Sequence, residues 1–218
     1  MDFRNAKELL KVCQEQSLSI SAVMLQRELT EGEQDPEETD RKMDRVLEIM
    51  KSAASTPIHT PVKSMGGLIG GEAKKISDHK DAGKGLCGDL LERAVIYAMA
   101  TLETNASMGV IVASPTAGSA GIVPGLLLAL QETYDLSDEQ IKQGLYNASA
   151  IGYLAMRNAT VAGAVGGCQA EVGIASAMAA SATVELMGGS PEQSLAAAST
   201  VLMNMLGLVC DPVGGLVE

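Results

Sequence analysis

A chain with one phenylalanine and no tryptophan cannot fill its interior with aromatic side chains, and Phe3 stands alone in 218 residues. Alanine, 23 glycines and 12 methionines must do the packing instead. Small side chains let helices approach closely, and methionine fills the irregular gaps left between them. Strand sandwiches depend on β-branched and aromatic cross-strand pairs, and aromatic residues are only 2% of this chain. The one short apolar run that resembles a strand is Val110 to Ala113. The sequence therefore predicts an all-α fold, a bundle of Ala/Gly-rich helices joined in places by glycine-rich loops.

Charge divides the chain. Residues 1–52 carry 12 acidic and 8 basic side chains, whereas residues 93–218 carry 10 and 3 over more than twice the length. The first stretch reads as solvated amphipathic helices and the second as buried core. We expect an amphipathic helical segment over 1–55, a Gly/Lys-rich loop region over 56–90 and a helical core over 91–218, together forming one domain. Helix starts are marked by Asp35 before Pro36, Glu37 and Glu38, with Met43, Val46, Leu47 and Met50 on one face. Ser137 with Gln140, and Ser190 with Gln193, form capping-box patterns. Gly188 and Gly189 end a helix predicted over about 171–187.

The net charge of −11 opposes binding to nucleic acid or to an anionic membrane. Residues 193–210 lack charge over 18 positions, close to a membrane span, but Gln193, Ser194, Ser199, Thr200 and Asn204 favour a buried core helix. Cys13, Cys87, Cys168 and Cys210 are widely spaced, and the chain opens without a signal-peptide pattern. Thiols or metal ligands in a reducing, cytoplasmic setting are expected.

Two loops stand out. Residues 63–71 hold Gly66, Gly67, Gly70 and Gly71 behind Lys63, Ser64 and Met65. Residues 114–121 place Ser114, Thr116 and Ser119 among Ala117, Gly118, Ala120 and Gly121, just before a helix expected near Pro124. Hydroxyls and backbone N–H groups at a helix start can receive a carboxylate or phosphate. An ordinary connection between packed helices accounts for either loop taken alone. Cys168 lies at a predicted helix start and Cys210 just past the end of the next helix, so an antiparallel pair would bring them together. Thiolates are the usual protein ligands of iron–sulfur clusters, and a helix N-terminus favours the thiolate. Buried, inert thiols are the commoner state, and Cys13, on an apolar helix face with Leu9, Leu10 and Val12, is read that way.

The order of the 114–121 loop, Gly166-Gly167-Cys168-Gln169-Ala170-Glu171 and Cys210-Asp211-Pro212-Val213-Gly214-Gly215-Leu216-Val217-Glu218 resembles the α subunit of iron–sulfur-dependent L-serine dehydratases. Residues 63–67 fit the same family. The resemblance implies a lyase of amino-acid degradation and gluconeogenesis that converts serine to pyruvate and ammonia. It implies a 4Fe-4S cluster on three cysteines, two of them matched by Cys168 and Cys210 and the third expected beyond Glu218. It also implies a β subunit, and it allows a homo-oligomer of the chain. Substrate would meet Ser114, Thr116, Gly118 and Ser119 on one wall and Ser64, Met65, Gly66 and Gly67 on the other. The catalytic base is not assigned. His59 and His79 are the histidines available, and the base can equally lie on the β chain. On this reading the chain is truncated and is expected to be folded, cluster-free and inactive alone.

Two alternatives stay open at this point. Lys63, Lys74 and Lys75 near the glycines suit a pyridoxal-phosphate dehydratase, although no alternating βα pattern accompanies them. The acidic N-terminal segment suits a non-catalytic helical scaffold subunit.

Overall fold

A computed structural model describes residues 2–32 and 35–210. Its described residues form ten α-helices and no strand. They are α1 (Ala6–Gln16), α2 (Ile20–Glu31), α3 (Pro36–His59), α4 (Glu72–Asp81), α5 (Asp89–Ala106), α6 (Ile122–Tyr134), α7 (Asp138–Asn158), α8 (Gly163–Gly166), α9 (Cys168–Leu186) and α10 (Pro191–Asn204). The capping signals act as the sequence suggests. Asp35 accepts from Glu38 N at 3.0 Å, and Ser137 and Ser190 each close a reciprocal box with Gln140 and Gln193.

The core lies where α6, α7 and α9 meet, with α3 across one side. Leu127, Leu130, Ile141, Leu145, Ala177, Met178 and Ala182 form its centre. Packing is close because small residues line the contacts. A Cβ added at Gly125 would stand 2.9 Å from both Ala94 O and Ala98 Cβ, and one at Gly121 would stand 2.5 Å from Ala98 O, so α6 rests almost directly on the α5 backbone. A second cluster buries the lone Phe3 under α1, α2 and α7. Its ring meets Tyr153 edge to face at 5.4 Å, and Arg27 covers Tyr153 at 4.0 Å. Lys142, almost fully buried on α7, ties that helix to α3 through Asp40 at 2.6 Å and Asp44 at 2.9 Å, and meets Glu139 at 2.9 Å.

Three sequence expectations shift. The 56–90 region contains a helix, α4, and α3 continues through Pro57 to His59. Periodicity is weak over α4 because Ala73 is its one buried residue. Buried Glu103 of α5 anchors it, accepting from Ala73 N at 2.8 Å. Residues 193–210 are not a buried core helix: α10 ends at Asn204 and buries Ser194 and Ala198, leaving Met203 and Leu206 exposed. Among the described residues no helix is long and apolar enough to cross a membrane. Val110 to Ala113 runs as unpaired connecting chain before the 114–121 loop.

Candidate functional site

Both loops fasten to the last turn of α5. Met65 N–H donates to Ala106 O at 3.0 Å, and the neighbouring Asn105 Nδ2 donates to Ala117 O at 3.1 Å. Two segments about 50 residues apart in sequence are thereby set side by side. The Ser64 hydroxyl is buried and accepts from Gly67 N at 3.1 Å and Ile69 N at 3.3 Å, so it shapes the turn and leaves Met65, Gly66 and Gly67 on the surface. Glu72 braces the far end by accepting from Gly70 N at 2.6 Å, and that bond holds its carboxyl below the ordinary range.

The second loop is folded inward on itself. Ser114 and Ser119 are buried, and Ser119 Oγ lies 3.1 Å from Thr116 Oγ1 and 3.4 Å from Ser114 O. The Ser114–Pro115 peptide is cis. Ala117 and Gly118 form the exposed crest. Thr116 Oγ1 donates to Glu171 Oε1, a carboxylate in the first turn of α9. In the sequence Glu171 stands out only as part of a motif. A glutamate in a first helical turn is commonplace, and only the fold reveals which loop it meets.

That same turn begins with Cys168. Gly167, at φ 72°, turns the chain from α8 into α9, and Cys168 Sγ donates to Cys210 Sγ at 3.3 Å. Cys168 N–H points at the same sulfur, 3.4 Å away. The segment after α10 is held in place by Gly207 N–H, which donates to Gln169 Oε1 at 3.0 Å. Helices α9 and α10 are antiparallel neighbours, which is how residues 42 apart in sequence meet. Cys13 is buried elsewhere, and burial pushes its thiol up to about 11. Two converging thiols match the soft donors an iron–sulfur cluster takes. Among the described residues no group of three or more His, Cys, Asp or Glu could hold a metal ion. The Asp211 to Glu218 motif lies outside the described residues.

The other candidates sit apart. His79 lines a cavity of about 220 Å³ with Cys87 and Glu92, and neither candidate loop nor Cys168 or Cys210 contributes to its walls. His59 is exposed at the end of α3. Lys74 and Lys75 pair with Asp78 and Glu72, and neither they nor Lys63 line a described cavity. A cavity of about 550 Å³ lies behind the 114–121 loop, between α2, α3 and α7, with Met24, Met43, Met50 and Met178 in its walls. It touches Ser114 and Pro115 but neither Thr116 nor the cysteines. The Thr116 hydroxyl of the loop faces α9 instead.

Known proteins are similar to this chain over nearly its whole length. Residues 15–218 match the family model for the serine dehydratase alpha chain. A probable L-serine dehydratase alpha chain of Bacillus subtilis is 49% identical over 99% of this chain and 72% of its own length. The L-serine dehydratase alpha chain of Peptoniphilus asaccharolyticus is 43% identical over 98% and 73%. An L-serine dehydratase of Streptomyces coelicolor is 38% identical over 99% of this chain and 48% of its own length. An all-α bundle whose hydroxyl loop is tied to a cysteine-bearing turn, matched from Glu15 to Glu218, belongs to the serine dehydratase alpha chain family.

Proposed function

We propose that this chain is the α component of a cytoplasmic L-serine dehydratase that eliminates water from L-serine and yields pyruvate and ammonia. The hydrogen bond from Thr116 to Glu171 carries the reading, because it joins the carboxylate-receiving loop to the turn that holds Cys168 against Cys210.

The substrate carboxylate is received by the 114–121 loop. Thr116 gives its one hydroxyl proton to Glu171, and Ser114 and Ser119 are buried, so the crest backbone N–H groups at Ala117 and Gly118 are the donors left to meet an anion. Met65, Gly66 and Gly67 close the opposite wall, where the two glycines leave room for a small amino acid. Cys168 and Cys210 are the residues that would hold a 4Fe-4S cluster, with a further ligand from beyond the described residues. When bound, that cluster supplies a Lewis acid for the serine hydroxyl, a poor leaving group unaided. Loss of the Cα proton and the Cβ hydroxide gives an enamine, which tautomerises to an imine and takes up water to release pyruvate and ammonia. No base is assigned: His59 is exposed at the end of α3 and His79 lines a separate cavity.

Coexpression with the β chain tests the proposal. Serine-dependent ammonia release is expected, together with a broad iron–sulfur absorbance, and Cys168→Ser and Cys210→Ser should each remove both. Full activity in either variant would refute the ligand assignment. An aldimine band abolished by a lysine substitution would replace the iron–sulfur reading with a pyridoxal one.

A further inference from the structure

Glu171 sits in a seat built for its carboxylate. A Cβ on Gly163 would stand 2.2 Å from Glu171 Oε2, and one on Gly118 would stand 3.1 Å from Oε1. Gly163 opens α8 and Gly118 lies on the loop crest, so two separate segments leave out a side chain at the place the carboxylate fills. Thr116 supplies the hydrogen bond from a third direction. The first turn of α9 supplies a favourable field for a negative charge. Neither glycine is in the left-handed region, so backbone conformation does not explain them. Space for Glu171 does.

We infer that Glu171 is a positioning residue: it locks the substrate-receiving loop to the cysteine-bearing turn of α9 and so fixes the distance between bound carboxylate and cluster. The lock acts through Thr116, whose only proton it consumes, and through the fit of the carboxylate between Gly118 and Gly163. A neutral amide of the same shape can still accept the threonine proton, so the role depends on shape and hydrogen bonding more than on charge. A methyl group at residue 163 would meet the end of a flexible side chain, not the backbone. Gly163→Ala should therefore push the carboxylate from its seat and leave the helix intact. The inference rests on the proposal that the 114–121 loop receives substrate.

The test uses the holoenzyme assembled with its β chain and compares Glu171→Ala, Glu171→Gln, Gly163→Ala and the Gly163→Ala/Glu171→Ala double variant. Glu171→Ala and Gly163→Ala should each lower kcat/KM for serine about tenfold, the scale of one lost hydrogen bond to a charged group, with most of the loss in kcat and with cluster absorbance within about twofold. Glu171→Gln should stay within about threefold of wild type. The double variant should be no worse than Glu171→Ala, because the added methyl has nothing left to displace. Glu171→Gln as impaired as Glu171→Ala would overturn the inference and assign the charge a direct part in binding the substrate ammonium or in catalysis. Wild-type kcat/KM in Gly163→Ala would overturn it too.

If wild-type holoenzyme turns over no serine, the functional proposal fails, and the lock is read separately from urea unfolding of the chain itself. Thr116→Val and Glu171→Ala should each raise the unfolding constant about tenfold, and the pair no further than one alone. Multiplying effects would show that the two side chains share no interaction and would sink the lock itself.

Discussion

Cys168 and Cys210 are close enough to be linked by an oxidant, and the link should stabilise the chain strongly. Their sulfurs lie 3.3 Å apart, and a disulfide of about 2.05 Å requires them to approach by roughly 1.2 Å. The closed loop would span the 42-residue separation, and the chain-entropy relation for that length gives about 4 kcal/mol at 25 °C. For a chain of this size, that raises the melting temperature by roughly 8 to 16 °C. Oxidation with diamide, in a Cys87→Ser background to remove the exposed competitor, should lower the thiol count of the denatured protein from three to one. The survivor should be Cys13, buried and with its thiol pushed up to about 11. Peptide mapping should recover a 168–210 crosslink. Recovery of a different pairing, or a melting temperature that does not move, would show that the two thiols are not neighbours in solution. The ligand assignment would then lose its geometric basis.

Lys142→Met should cost about 2 kcal/mol in urea unfolding, because it keeps the buried stem but removes a charge shared among Asp40, Asp44 and Glu139, which return to water. Burial opposes the Lys142 charge, but hydrogen bonds to Asp40, Glu139 and Asp44 outweigh it and raise its pKa above the ordinary lysine value. The difference between wild type and variant should therefore be full below about pH 10.4 and shrink as pH rises further toward the folded-state value. A difference already lost at pH 8 would contradict this. Gly125→Ala gains about 1 kcal/mol of helix propensity, but its Cβ would stand 2.9 Å from Ala94 O and Ala98 Cβ, so a net loss of roughly 1 to 2 kcal/mol is expected. An unchanged or raised urea midpoint would show that α5 and α6 separate at little cost.

What the sequence reveals depends on how local the cause is. The starts of α3, α7 and α10 are written in two or three adjacent residues, and those signals are visible because a cap needs nothing beyond its own turn. The meeting of Cys168 and Cys210 is visible one level up, since two consecutive antiparallel helices suffice to produce it. Helix α4 escapes notice because a buried carboxylate 30 residues away, Glu103, holds its first turn where an apolar stripe would normally do so. The uncharged stretch after Gln193 misleads in the opposite direction: lack of charge permits burial, but neighbours must also be present, and the described chain leaves Met203 and Leu206 exposed. Glu171 is the furthest from local cause. Its seat joins Thr116, Gly118 and Gly163 across 55 residues of sequence, and each of the four is ordinary in its own segment. Glycines in a sequence read as freedom for the backbone, whereas Gly118 and Gly163 are better understood as space kept for another residue's carboxylate. Two glycines with ordinary backbone angles facing one acid are therefore a sign of a positioned group, and that sign exists only in three dimensions.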